Sequence, residues 1–523
     1  MEKKELGRLK TVTRVFVFED PDGSIAKQLQ NGASIERFID KLRAVRTVEG
    51  NVFLNEGITF IWQAVTGATG LTYFDGAHSY IGVGDGTAAE DPSQTGLQGT
   101  NKYYKLVDSG YPQVSGNAVK FRATFGPDEG NFCYTPDHDV LTIDGWKPIA
   151  EVRKGELVAT IVPDGSIVYQ PVVAKTVFRH KGYIYTVRNR FVDLAVTPNH
   201  KVYVRNEWWR RGGRGFELVE IEQLERGTWE MLKTGIWLGI ASKEIRVEGM
   251  DDKFHPWLKD PLLLPTKPFV RLLGYIVSEG YVMKNSVVIT QSKERHPDRY
   301  EEIVELAKEC GFTPHEYNGT SVMVHDKRLA LFLKNEMYVD GTKAVNKRVP
   351  RFLKFLAPEL IREFLDAYFL GDGHFGGGKT VQIWTVSPYI RDDLQELALK
   401  AGFSADYATY VNERSFSRRP KYLVSIIKRY NTPYIVYKHD ERKKSEVERV
   451  PYDGLMVGIA VPEHHTLYVR RNGKTVWSGN SWKEWTVANG NSDAAVNLNR
   501  KVQDMGTKAS GTTWTIEVQL QIT

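Results

Sequence analysis

Apolar and polar positions change rhythm twice along the chain. Residues 1–132 open with a helix-like stretch near Ile35–Arg46. They continue as short alternating runs punctuated by Gly and Asp, among them SYIGVGDGTAAEDPSQTGLQG and GNAVKFRATFGPDEGNF. Residues 481–523 return to the same alternation in SWKEWTVANGN and GTTWTIEVQLQIT, the period-two pattern of half-buried strands. The text between them is denser in Arg and Lys and carries long helical patterns. With residues 133–480 removed, GPDEGNF runs into SWKEWTV as one strand-like sentence. The outer segments then total 175 residues, an ordinary domain size, and the middle 348 residues read as an insertion.

The insertion repeats itself. RLLGYIVSEGYV and FLDAYFLGDGHF are apolar, helix-like runs that each end on acid–glycine, with Glu279 and Asp372 ninety-three residues apart. Each is followed by a β-type run, SVVITQS or TVQIWTVS, and then by an amphipathic helix closing on Gly-Phe. Gly311 and Gly402 suit helix C-caps there. The pattern predicts two fused copies of one α/β unit related by a pseudo-twofold axis.

Composition narrows the class without choosing the chemistry. At 41% hydrophobic, 26% charged and 11% aromatic, the balance is that of globular proteins, which excludes wholesale disorder and collagen-like structure. No window approaches the ~18 consecutive apolar residues of a membrane span. The start, MEKKELGRLKTVTRVFVFED, is charged and lacks an apolar core, so no secretory signal is expected. Two cysteines, Cys133 and Cys310, make neither a disulfide framework nor a Cys-rich zinc site. The net charge of +6 permits a nucleic-acid partner without demanding one.

The ends of the insertion are chemically richer. It begins at Cys133 and ends Trp477-Ser478-Gly479-Asn480, immediately before Ser481. Thr197-Pro198-Asn199-His200 lies near its start and Glu463-His464-His465-Thr466 near its end. A thiol at the first position can attack the carbonyl of Phe132 if an imidazole protonates the departing nitrogen. The Ser481 hydroxyl can take over the acyl group, and Asn480 can cyclise onto its own carbonyl and cut the chain behind itself. Taken singly, a cysteine near a turn is a small hydrophobe and TPNH an ordinary turn. Their joint placement at two seams of one flanking text points to excision and joining.

In these motifs residues 133–480 resemble an intein. CYTPDHDVLT matches the family's N-terminal motif, VTPNHKVYV its Thr-x-x-His motif, and VPEHHTLYVRRNGKTVWSGNS its two C-terminal motifs. The resemblance implies Cys133 as first nucleophile, Thr197 and His200 as activators of the Phe132–Cys133 bond, Ser481 as acceptor and Asn480 as the cyclising residue. There are two departures: Gly479 stands where most of the family has His, and Gly458 where Asp or Cys is frequent. His465 is therefore expected to assist Asn480.

LLGYIVSEG and LDAYFLGDG resemble the LAGLIDADG signature of homing endonucleases, once per repeat. Small residues such as Gly274 and Ala367 let the two helices approach, so that Glu279 and Asp372 lie side by side. Paired carboxylates repel unless a divalent cation sits between them, and Mg²⁺ takes hard oxygen ligands together with phosphate. Glu279 stands where Asp is commoner, and Lys347 in KRVPRFL matches a family motif whose lysine organises the active site. Double-stranded DNA is the implied partner, and phosphate-neutralising candidates are Arg210, Arg211, Arg214, Arg418, Arg419, Lys421, Lys428 and Arg429. The second of these groups suits a basic β-ribbon in the major groove. Gly373 to Thr380 satisfies the formal P-loop spacing, but a phosphate-binding loop follows a strand and opens a helix, the reverse of the order here.

The expected architecture has three parts. A mostly-β, horseshoe-like splicing domain takes residues 133–255 and 446–480. An α/β LAGLIDADG domain takes 256–445, with αββαββα repeats at about 265–350 and 360–445. The β-rich flanks, 1–132 and 481–523, resemble small virion proteins of tailed bacteriophages and suggest a sandwich or barrel. The expected setting is a bacterial cytoplasm, with a monomeric insert, no membrane, and ligated flanks that join other virion proteins. The competing reading is an unspliced phage structural or DNA-binding protein with an inactive insert.

Overall fold

The computed structural model describes residues 9–20, 23–50, 52–84, 88–98, 102–126, 133–206, 215–224, 227–376, 380–411, 419–429, 431–437, 445–480, 486–491, 496–501 and 512–522. Strand Leu9–Glu19 pairs antiparallel with Thr512–Ile522 along its whole length of 11 residues. Thr512–Ile522 pairs in turn with Ala118–Phe125. In a second sheet, Thr486–Asn491 lies between Ser79–Gly84 and Val496–Lys501. Both five-stranded sheets thus draw strands from both sides of the insertion. One apolar core, including Val15, Ile81, Phe121, Phe125, Trp514 and Ile516, joins them. The helix expected at Ile35–Arg46 is a 3₁₀ turn, Ile35–Lys41, that gives way to strand Leu42–Glu49. Val45, Thr47 and Val48 are β-branched, and the edge of Leu9–Glu19 supplies a partner for them. Two helices accompany the flanks, α1 (Ser24–Gln30) and α2 (Asn55–Val65).

Within the insertion, strands Ala174–Arg188 and Val447–Ala460 form a long antiparallel ribbon, with Thr176 opposite Gly458. Beside it, His138–Thr142 pairs with Thr466–Arg471, which hairpins to Lys474–Gly479. Ser478 of that last strand lies opposite Val202 of Lys201–Asn206. Sheet pairing therefore carries the first and last residues of the insertion to one place. Buried Val140, Val202, Val204, Leu467, Val469 and Val476 share the core beneath.

The α/β unit begins with α3 (Thr266–Glu279), two strands, α4 (Pro297–Glu309), two strands and α5 (Lys327–Met337). The second copy runs α6 (Pro358–Asp372), two strands, α7 (Pro388–Lys400) and two strands. Among the described residues it has no closing helix. The chain continues instead into Tyr434–Tyr437, which pairs with Gly227–Met231 in the sheet of the surrounding β unit. The formal P-loop text falls on a strand pair, Gly373–Gly376 and Thr380–Thr385, that follows helix α6, and Lys379 lies outside the described residues. Among the described residues no helix is long and apolar enough to cross a membrane.

Helix α7 is the seam between the two units. Gln395 donates to the main-chain carbonyls of Ala405 and Gly473, and Arg470 reaches Gln395, Asp392 and Asp139. Lys400 is fully buried on Glu396 at 2.7 Å, with the rings of Tyr169, Trp237 and Phe355 around its ammonium at 5.3, 4.7 and 5.3 Å. Glu396 also holds Lys354 at 2.9 Å. Glu396→Ala leaves two buried ammoniums short of a partner. The expected loss is about 3–5 kcal/mol, read as a lower urea midpoint, whereas Glu156→Ala at the half-exposed Lys147 pair costs about 1 kcal/mol or less.

Candidate functional site

Cys133 is fully buried among Ile184, Ala195 and Met456. Its amide nitrogen donates to Thr197 Oγ1 at 3.1 Å, and its carbonyl accepts from the Thr197 amide at 3.0 Å. The turn that follows is closed by the His200 amide on the Thr197 carbonyl, 3.0 Å. His200 is itself fully buried, and burial, reinforced by nearby His138, pushes its imidazole down to about 3. It is neutral at physiological pH. Its Nε2 lies 3.1 Å from Ser478 Oγ, and its Nδ1 is buried without a hydrogen-bond partner.

Tyr134 joins the two ends. Its main chain pairs both ways with Val457, the neighbour of Gly458. Its ring meets those of His200 at 4.4 Å and His138 at 5.1 Å. Its hydroxyl donates to the carbonyl of Gly479, while burial drives its phenol far above the usual range. Asn480 is buried and held from two more directions. Its amide donates to the His465 carbonyl at 2.9 Å, and its Nδ2 donates to the Val461 carbonyl at 3.1 Å. His465 meets Asn480 through its main chain, with a left-handed φ of 53°. The glycine at 479 has a steric reason, since a Cβ there would stand 2.4 Å from the Lys201 carbonyl oxygen. Phe132 and Ser481 lie outside the described residues.

The second site is built by α3 and α6. A Cβ on Gly274 would stand 2.5 Å from the Phe364 carbonyl and 2.7 Å from the Ala367 Cβ, so the helices touch through small residues. Gly371 repeats this against Ser278 Oγ at 2.2 Å. Glu279 and Asp372 end the two helices. Burial and the neighbouring Glu279 carboxylate push Asp372 up to about 6, against the pull of Lys347 and the Tyr368 hydroxyl. Glu279 is raised by burial, opposed by Lys347, Arg299 and His296. Lys347 donates from Nζ to the Gly280 carbonyl at 2.7 Å, and burial lowers its ammonium to about 8 while both acids pull it back up. A cavity of about 300 Å³ opens between Lys347, Tyr368, Asp372, Trp384 and Lys421. Among the described residues no three or more His, Cys, Asp or Glu side chains converge as a metal cage. Two repelling carboxylates suit a divalent ion that completes its shell with water and phosphate.

The basic candidates divide. Lys421 opens strand Lys421–Ile427, which pairs with Ser404–Tyr410 as a ribbon, and it lines the cavity. Arg419 and Arg429 are exposed. Lys428 is engaged within the fold by Asp366 at 3.3 Å and lies over the Phe369 ring. Arg210, Arg211, Arg214 and Arg418 lie outside the described residues. Sequence reasoning missed Tyr134, Ser478, Tyr368, His296 and Arg299. Of these, Tyr368 alone carried a local signal, one helical turn before Asp372.

Comparison with known proteins adds the following. The chain is 23% identical over 420 residues to a DNA-directed RNA polymerase subunit beta C-terminal section of Stigeoclonium helveticum, covering 68% of this chain and 37% of that protein. It is 26% identical over 289 residues to an ATP-dependent Clp protease proteolytic subunit of Chlamydomonas moewusii, covering 52% and 28%. The chain thus spans about a third of the length of these relatives. The solution structure of a bacterial intein-like domain from Clostridium thermocellum aligns with 19% of this chain and 66% of that one, at 19% identity and a TM-score of 0.16. Residues 359–432, which take in the second helix of the pair, its acid Asp372 and the ribbon that follows, match the family model of the LAGLIDADG-like domain.

Proposed function

We propose that residues 133–480 are a self-splicing insertion, an intein, that excises itself and joins Phe132 to Ser481. The observation that carries the reading is the hydrogen bond from Tyr134, next to Cys133, to Gly479, next to Asn480. The Cys133 thiol attacks the Phe132 carbonyl carbon, the C–N bond breaks, and the thiol proton ends on the Cys133 nitrogen. Thr197 orients that nitrogen and His200 moves the proton. The Ser481 hydroxyl then takes the acyl group, and its proton returns to the Cys133 sulfur. Asn480 Nδ2 attacks its own carbonyl carbon, the bond to Ser481 breaks, and one Nδ2 proton passes to the freed Ser481 amine. That amine attacks the ester, restoring the hydroxyl and a normal peptide. Two further features support the reading: the flanks share two sheets across the insertion, and the relatives bear the names of unrelated proteins, as an element carried inside different hosts would. Weighing the products of expression tests it. The 59.5 kDa chain should give way to a joined flank of 175 residues and an insert of 348. Persistence of the full chain alone overturns it.

The embedded α/β unit acts, on the same reading, as a homing endonuclease on double-stranded DNA. Glu279 and Asp372 would hold Mg²⁺, which when bound supplies Lewis acidity at a phosphodiester and an acidified water. Tyr368 steadies the Asp372 carboxylate, and Lys347 balances the charge of the acid pair. Lys421, Arg419 and Arg429 neutralise phosphates along the ribbon. The pseudo-twofold relation of the copies suits the two strands of a duplex. The joined flanks, one two-sheet domain, would serve as a building block of a phage particle.

A further inference from the structure

The strand that leads into Asn480, Lys474–Gly479, has one edge on its hairpin partner Thr466–Arg471. Its other edge is completed by three pieces of chain in turn. Ser478 lies opposite Val202, the Trp477 amide donates to the Leu232 carbonyl at 3.0 Å, and the Thr475 amide donates to Asp406 Oδ1 at 3.3 Å. Asp406 belongs to the second α/β copy, on strand Ser404–Tyr410. The Thr475 hydroxyl donates to the neighbouring Ala405 carbonyl at 3.2 Å. Asp406 also takes the buried Lys233 ammonium at 2.6 Å. The carbonyls on either side of Lys233, those of Leu232 and Thr234, are the ones that hold the Trp477 amide and its indole nitrogen. Support from the second copy thus reaches along the strand as far as Trp477. The turn of the hairpin is gripped by the same copy. The Gly473 carbonyl accepts from Nε2 of the buried Gln395 at 2.9 Å and from the Tyr407 amide at 3.0 Å. Gly473 has a φ of 78°, and a Cβ there would stand 2.2 Å from the Tyr407 carbonyl oxygen, so turn and copy are fitted to each other.

From this geometry we infer that the second copy of the α/β unit is a working part of the splicing apparatus, with Gln395 and Asp406 as positioning residues for Asn480. The inference rests on the splicing reading and adds two residues to it from the embedded unit. Side chains along a strand alternate between faces, so a hairpin that slips along an open edge turns Asn480 away from its partners. The holds at Gly473, Thr475 and Trp477 fix the register that delivers Asn480 to the His465 and Val461 carbonyls. Cys133 is held by other means, by Thr197 and, through Tyr134, by Val457. The two junctions therefore depend on the second copy unequally. Glu279 and Asp372 can be lost without disturbing the last strand, whereas Gln395 and Asp406 cannot.

The test uses the full chain in two backgrounds that each report one junction. Cys133→Ala reports cleavage behind Asn480, and Asn480→Ala reports release of the first flank by added thiol. Gln395→Met keeps the side-chain length and removes the amide, and Asp406→Asn removes the charge that holds Lys233. Each should slow cleavage behind Asn480 by about tenfold or more and leave thiol release at the parent's rate. Retained thiol release shows that the variant has folded. Tyr275→Phe, which removes a hydrogen bond to Glu302 within the first copy, should leave both reactions unchanged. Cleavage behind Asn480 at the parent's rate in both variants overturns the inference. So does an equal loss at both junctions in Gln395→Met, which would make the contact a matter of general stability. A parent that cleaves at neither junction overturns the splicing reading itself, a failure distinct from these two.

Discussion

A precursor carrying both Cys133→Ala and Asn480→Ala is expected to stay at 59.5 kDa, with no joined flank and no free insert. The single substitutions should fail differently. Cys133→Ala removes the thiol that starts at the first junction but leaves Asn480 held by His465 and Val461, so cleavage behind Asn480 continues without joining. Asn480→Ala leaves the Cys133 amide on Thr197 and the imidazole in place, so thiol still releases the first flank. Each step lost should fall by about a thousandfold or more, as when one member of a nucleophile–base unit is removed. Products resolved by mass spectrometry over time decide it. Joined flank from the double variant would remove both residues from the chemistry.

The seams were legible because their chemistry demands particular residue types at the ends of one continuous text. A thiol, an amide beside a hydroxyl, and an imidazole after Thr-x-x are hard to disguise. Tyr134 and Ser478 left no such trace. Their importance lies in which atoms face each other across segments 278 and 345 residues apart, Ser478 with His200 and Tyr134 with Gly479, and no local period records that. Gly479 read as an omission until the Lys201 carbonyl gave it a steric cause. The helix pair was readable from its repeated apolar runs and acid–glycine ends. The ribbon cations were readable only in part, since whether a lysine is free for phosphate depends on partners such as Asp366, sixty-two residues from Lys428. Near Ile35–Arg46 local propensity lost to tertiary pairing, for the open edge of Leu9–Glu19 took Leu42–Glu49 as a strand.

Glu279→Gln or Asp372→Asn should each abolish Mg²⁺-dependent cutting of DNA that carries the uninterrupted flank gene. The loss expected is about a thousandfold, corresponding to the several kcal/mol that a bound metal contributes. Splicing should be unchanged in both, because Glu279 and Asp372 lie on the helix pair while Cys133 and Asn480 are held by Thr197, His465 and Val461 of the β unit, and intact splicing shows that the variant has folded. The acids also set a pH dependence. Asp372 titrates near 6 and must be ionised to hold a cation, so activity is present above about 6 and is lost as the pH falls through it. Lys347 titrates near 8 and must be charged to balance the pair, so activity declines again above about 8. Lys347→Met removes the upper limb. Because the ammonium normally lowers Asp372, the same change should move the lower limb to higher pH. Rates measured from pH 5 to 9 at saturating Mg²⁺ read both limbs. Cutting that is indifferent to both acid substitutions would take the two carboxylates out of the nuclease site.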